Sequence, residues 1–241
     1  MRLATAFELA NSIASQVAEV EGVETILCPP FIYLATVETA ITMSGVRLGA
    51  QDTHWEDDVA ATGEVGPQQL EELVDYVIIG HSERRHVFGE TDEEVNRKVA
   101  AVLGVGIAPI MCIGETHEQR EAGQTEDVLL RQVRVGLAGI DIPDGFVIAY
   151  EPVWAIGTGH AATVDDADSA ISLARSELAA MFGQDKAESV RILYGGSVTP
   201  ENIAGFMERE SIDGALVGGA SLNADTFSQI VRAAAQVRDT A

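Results

Sequence analysis

Only two lysines, Lys98 and Lys186, occur among 241 residues, and 15 basic residues face 38 acidic ones, a formal net charge of −23. That shortage of positive charge excludes the classes that need a basic face: nucleic-acid binding and attachment to an anionic membrane. Solubility is the plain reading of the excess acid, and acid-rich, lysine-poor surfaces also suit salty surroundings. Cysteine is equally scarce. Cys28 and Cys112 stand far apart and are too few for a disulfide framework, so a reduced, cytoplasmic setting is expected. No apolar run is long enough to span a bilayer, and Met1 to Val20 carries Glu8, Asn11, Ser12, Ser15 and Gln16 where a signal peptide would be apolar throughout. Neither a G-x-G-x-x-G turn nor a Walker loop is present. His117-Glu118 has no second histidine at helical spacing, and His81 and His86, five apart, suit neither one helix face nor a zinc finger. Neither a cofactor nor a metal is expected.

What is present is core-forming material, 46 % hydrophobic residues in a 25.6 kDa chain, enough for one barrel-sized domain. Short apolar runs at 24–28, 47–51, 76–80, 108–113, 146–150, 191–194 and 215–218 are mostly continuous rather than alternating, which suits strands covered on both faces of a parallel sheet. Helical patterns fall between them, at 3–20, 32–42, 67–73, 92–103, 118–137, 163–181, 200–207 and 223–237. Thr91 with Glu94 is a capping box, Thr163 with Asp166 a near variant, and Thr199-Pro200 places an N-cap before a proline. No linker or charge block divides the chain, so residues 1–241 read as a single domain. The expected fold class is α/β, a (β/α) barrel with seven strands and eight helices. A closed barrel of this kind has eight strands, and the first helix has no strand before it.

Active sites in such barrels lie where strands end, and polar residues and glycines gather there. Glu151 ends the apolar run Val147–Tyr150, where a carboxylate on a hydrophobic rim can become a usable base; pairing with an arginine or capping a helix is the plainer alternative. Pro152, Val153, Trp154, Ala155, Ile156, Gly157 and Thr158 follow as a mostly apolar loop, suited to a lid that excludes water. His81 follows Val77-Ile78-Ile79-Gly80, and Ser82-Glu83 can start a helix whose dipole would hold the ring neutral. Gly157, Ser197, Gly218 and Gly219 sit where backbone N–H groups could converge on a phosphate. Cys112 ends a strand and reads as packing.

These residues together resemble the triosephosphate isomerase family. The similarity rests on Gly80-His81-Ser82-Glu83-Arg84-Arg85, on Ala149 through Gly159, and on Tyr194-Gly195-Gly196-Ser197-Val198. Cys28-Pro29-Pro30, Gly49-Ala50-Gln51-Asp52 and Leu216 through Leu222 add to it. The resemblance implies a TIM barrel and interconversion of dihydroxyacetone phosphate and glyceraldehyde 3-phosphate through an enediolate. Glu151 would be the base and His81 the electrophile, with Glu83 in support. Gly157, Ser197, Gly218 and Gly219 would hold the phosphate. Thr62-Gly63-Glu64 resembles the loop tip that reaches into a second subunit, so a homodimer or higher oligomer is implied.

The family also has a first strand ending in Asn-x-Lys, and no residue here matches it. Losing one preorganised charge costs about 10²–10³ in rate, so activity is expected to be strongly reduced or absent. The edges of the neighbouring strands are expected to be covered by loops, narrowed by partial closure or paired with another subunit. The alternative from another class is a non-catalytic phosphate-binding or assembly protein derived from the isomerase. An aldolase or epimerase is disfavoured, because no strand-end lysine is available for a Schiff base.

Overall fold

A computed structural model describes residues 2–56, 60–155 and 162–238. Its strands are β1 (Ile26–Leu27), β2 (Arg47–Ala50), β3 (Tyr76–Ile79), β4 (Ala108–Ile113), β5 (Val147–Tyr150), β6 (Arg191–Tyr194) and β7 (Gly214–Ala215). They form one parallel sheet in the order β1-β2-β3-β4-β5-β6-β7. Every residue of β3 and β5 is buried, which is why these runs carry no polar face. Alternate side chains divide two cores. Tyr76, Ile78, Ile110, Cys112, Val147 and Ala149 pack together inside the curled sheet. Val77, Ile79, Met111, Ile113, Ile148 and Tyr150 point outward into the cluster they share with the helices.

The helices are α1 (Leu3–Val17), α2 (Leu34–Ile41), α3 (Pro67–Leu70), α4 (Ser82–His86), α5 (Asp92–Gly104), α6 (His117–Glu121), α7 (Thr125–Gly136), α8 (Val164–Phe182), α9 (Gln184–Ser189), α10 (Ile203–Met207) and α11 (Ala224–Arg238). Eleven therefore occur among the described residues, where eight were expected. The expected helix at 118–137 breaks at Gly123, whose φ of +70° cannot continue a helix, and Gly183 at φ +89° separates α8 from α9. The capping boxes at Thr91 and Thr163 are both formed. Thr199-Pro200 does not open a helix. Instead Asn202 accepts from the Thr199 N–H at 2.8 Å and donates to the Ser197 carbonyl at 3.0 Å, so this stretch holds the Ser197 loop.

Helices α1 and α11 are pinned to each other. Gln16 Nε2 donates to Asp225 Oδ1 at 2.8 Å, and Arg232 Nη1 donates to the Gln16 carbonyl at 2.8 Å. Among the described residues no strand joins β1 to β7, so the helices close a ring that the strands do not. Residues of α1, α11, β1 and β7 line one cavity of about 1430 Å³. The backing of these strand edges thus includes helices, not only the loops expected.

A charge of −23 on this one domain repels itself, and salt screens that repulsion. The thermal midpoint should rise between about 0.01 M and about 1 M NaCl, as the screening length falls from about 30 Å to about 3 Å. Differential scanning calorimetry that finds a flat or falling midpoint would show that self-repulsion does not limit stability.

Candidate active site

The cavity runs along the inside of the sheet, and Glu151 and His81, just past the carboxyl ends of β5 and β3, both line it. Glu151 follows β5 and continues its ladder, its N–H donating to the Ile113 carbonyl at 2.7 Å. Its side chain is buried, yet its surroundings are rich in donors and not the bare hydrophobic rim expected. One oxygen accepts from the Ser82 N–H at 2.8 Å; the other accepts from Ser82 Oγ at 3.1 Å and meets His81 Nε2 at 2.9 Å. The turn that delivers these donors depends on Gly80, which lies at φ +70° with a side chain's place already filled by Val95 and Arg85.

His81 is the N-cap of α4, its Nδ1 accepting from the Glu83 N–H at 3.3 Å. That bond puts the proton of the neutral ring on Nε2, facing Glu151. Burial works against the imidazolium, but the hydrogen bond and charge of Glu151, with Glu83 adding, hold the His81 pKa above its ordinary value. The neutral ring expected from the helix dipole is therefore opposed by the carboxylate while the two groups remain in contact. Glu83 lines the cavity mouth with no ion-pair partner among the described residues.

Ser197, Gly218 and Gly219 line the same cavity. Among the described residues no acceptor takes the N–H of any of the three. Of the expected lid, Pro152, Val153, Trp154 and Ala155 are in place, the last three as a 3-10 turn. Ile156, Gly157 and Thr158 lie outside the described residues.

Two groups had no role assigned from the sequence, although Gly114-Glu115 stands among the polar strand ends. Glu115, fully buried, accepts from the Trp154 indole at 2.9 Å and from the Tyr150 hydroxyl at 3.1 Å, tying down the segment that follows β5. Arg120 stacks over the Trp154 ring at 4.2 Å and pairs with Asp166 at 2.7 Å. Beneath α4 lies a buried ionic cluster. Lys98 contacts Asp52 at 2.6 Å and also Glu90, and Arg84 reaches Asp52 at 3.1 Å. The available cue was that a chain with two lysines places one at a helix position whose neighbours Val95, Val99 and Val102 are apolar. Both arginines that line the cavity are paired, Arg84 with Asp52 and Arg191 with Glu24 at 2.6 Å. Among the described residues no cluster of three or more His, Cys, Asp or Glu could hold a metal ion, and no helix is long and apolar enough to cross a membrane.

A parallel β/α barrel sheet with a buried carboxylate past the end of β5 and an imidazole past the end of β3, in contact across β4, defines the class: a barrel protein with its candidate site at the carboxyl-terminal face. The family profile described as triosephosphate isomerase matches residues 1–234, and the chain belongs to that family. It is 53 % identical over 211 residues to the triosephosphate isomerase of Caldanaerobacter subterraneus, covering 86 % of this chain and 85 % of the relative. It is 49 % identical to that of Thermoanaerobacter sp. over 94 % of this chain and 92 % of the relative. The triosephosphate isomerase of Dehalococcoides mccartyi is 47 % identical over 98 % of this chain and 93 % of its own length.

A His81 pKa raised in the fold means that the contact with Glu151 stabilises the protein below about pH 6.5. That contribution is lost as pH rises through the higher folded value. NMR titration should place His81 above ordinary histidine, and Glu151→Gln should bring it down. An unchanged midpoint in the variant would show that Glu151 is not the cause.

Proposed function

We propose that this chain isomerises dihydroxyacetone phosphate and glyceraldehyde 3-phosphate. The observation that carries the reading is the 2.9 Å contact between His81 and Glu151 in a cavity shared with the free N–H groups of Ser197, Gly218 and Gly219. Glu151 leaves Ser82, takes a proton from one carbon and returns it to the next, by way of an enediolate. His81 offers its Nε2 proton to the substrate oxygens, and loses the pKa-raising contact with Glu151 as the carboxylate moves to carbon. Glu83 supports the imidazole from the far side through its N–H on Nδ1. Ser197, Gly218 and Gly219, together with Gly157, bind the phosphate through backbone N–H groups. Residues 152–158 form the lid, whose closure removes water from the enediolate.

We further infer that the polypeptide of these 241 residues works slowly. Among the described residues both arginines lining its cavity are paired, Arg84 with Asp52 and Arg191 with Glu24, and neither lysine lines it. A coupled assay should find turnover in this chain, a loss of about 10²–10⁴ in Glu151→Gln, and a gain of about 10²–10³ when an amino-terminal strand ending in Asn-x-Lys is supplied. Equal activity with and without that strand would defeat the charge argument. Binding of inorganic phosphate with no turnover in either form would favour a binding protein.

We also propose a homo-oligomer. Ile32, Val87 and Phe88 are 75 %, 73 % and 68 % exposed in the segments following β1 and β3, a concentration of large apolar groups suited to a second copy. Sedimentation equilibrium should give a dimer or larger species that Val87→Asp with Phe88→Asp dissociates. A monomer at micromolar concentration would refute this reading.

A further inference from the structure

Gln132 sits on α7, an outer helix, and is 3 % exposed. Its carboxamide spans a single residue's backbone. Oε1 accepts from the Gly114 N–H at 2.7 Å and Nε2 donates to the Gly114 carbonyl at 3.2 Å. The residues on either side of Gly114 are bonded toward the Glu151 segment. The Ile113 carbonyl accepts from Glu151 N–H at 2.7 Å, and the Glu115 carbonyl accepts from Val153 N–H at 3.2 Å. Peptide groups alternate in direction along extended chain, so those of Gly114 point away from that segment. Gln132 satisfies them both. Gly114 in turn abuts Glu151, because a methyl group there would overlap the Glu151 carbonyl oxygen.

We propose that Gln132 is a positioning residue for the isomerisation: it fixes the Gly114–Glu115 turn, and through it both the main chain of Glu151 and the anchor of the lid. Gln132 touches no substrate and acts only through Gly114. If the amide is removed, two buried backbone groups lose their partners, which is unfavourable for each. The turn then shifts to find other partners, which carries Glu115 away from Trp154 and alters the packing beneath Glu151. The catalytic part rests on Glu151 being the base, whereas the coupling of Gln132 to Trp154 does not.

The chain has two tryptophans, and Trp55, stacked on His54 at 4.2 Å and covered by Arg97, belongs to no part of the site. A Trp55→Phe background therefore isolates the fluorescence of Trp154. In that background Gln132→Met, which keeps the length and loses both bonds, should lower the anisotropy of Trp154 and raise its quenching by acrylamide. Its kcat should fall by about tenfold to a hundredfold, the scale of a displaced catalytic geometry, with KM nearly unchanged. Gln132→Glu keeps the acceptor for the Gly114 N–H, so it should lie between parent and Gln132→Met, and it carries the test if the methionine variant does not fold. A folded variant with parental Trp154 anisotropy and parental kcat overturns the proposal. Loosened Trp154 with no turnover in parent or variants supports the coupling and overturns the isomerase reading instead.

Discussion

Three donors drawn from two consecutive residues, His81 and Ser82, converge on one buried carboxylate, and the site is arranged around that convergence. A buried carboxylate without such partners would be strongly disfavoured. The contact joins the end of β5 to the end of β3 across β4, which lies between them in the sheet. Gly114 stands at the crossing point, and its lack of a side chain admits the Glu151 backbone. Gly80 makes the sharp entry into α4 that aims the Ser82 N–H inward. Two glycines and one helix of five residues thus place the chemistry.

Electrostatics set the second constraint. In a chain this acidic, the cations near the cavity are committed among the described residues: Lys98 and Arg84 to Asp52 and Glu90, Arg191 to Glu24. On the proposed function, positive potential for the phosphate comes from oriented backbone N–H groups, which carry partial charge without attracting a carboxylate partner from the surface.

The strands were legible because continuous burial on both faces leaves a short apolar run, as in Val147–Tyr150, whose length and flanking glycines and prolines separate it from a buried helix. Glu151, His81 and the glycine loops were legible because polar residues at strand ends stand out against such runs. The helix break at Gly123 was harder to read, since a glycine inside a helical pattern is tolerated, and the short α9 after Gly183 carries too few residues for a periodic pattern. Glu115, Gln132 and the Lys98 cluster were not legible. Each gains its meaning from a partner 18 to 46 residues away, and neither hydropathy nor local spacing encodes that pairing.

The unequal length of the ladders has a mechanical consequence. Strands β3 to β5 are fully or almost fully buried, whereas β1 and β7 contribute two half-buried residues each. Local opening starts where few bonds and little apolar contact resist it, so the sheet is stiff on the side of Glu151 and soft at its seam. Gly218 and Gly219 lie on the soft side, with two residues between them and the end of β7. A ligand gripped there would favour the closed arrangement of the seam over its open ones, so occupancy and rigidity would rise together, the small molecule completing mechanically what the short outer strands begin.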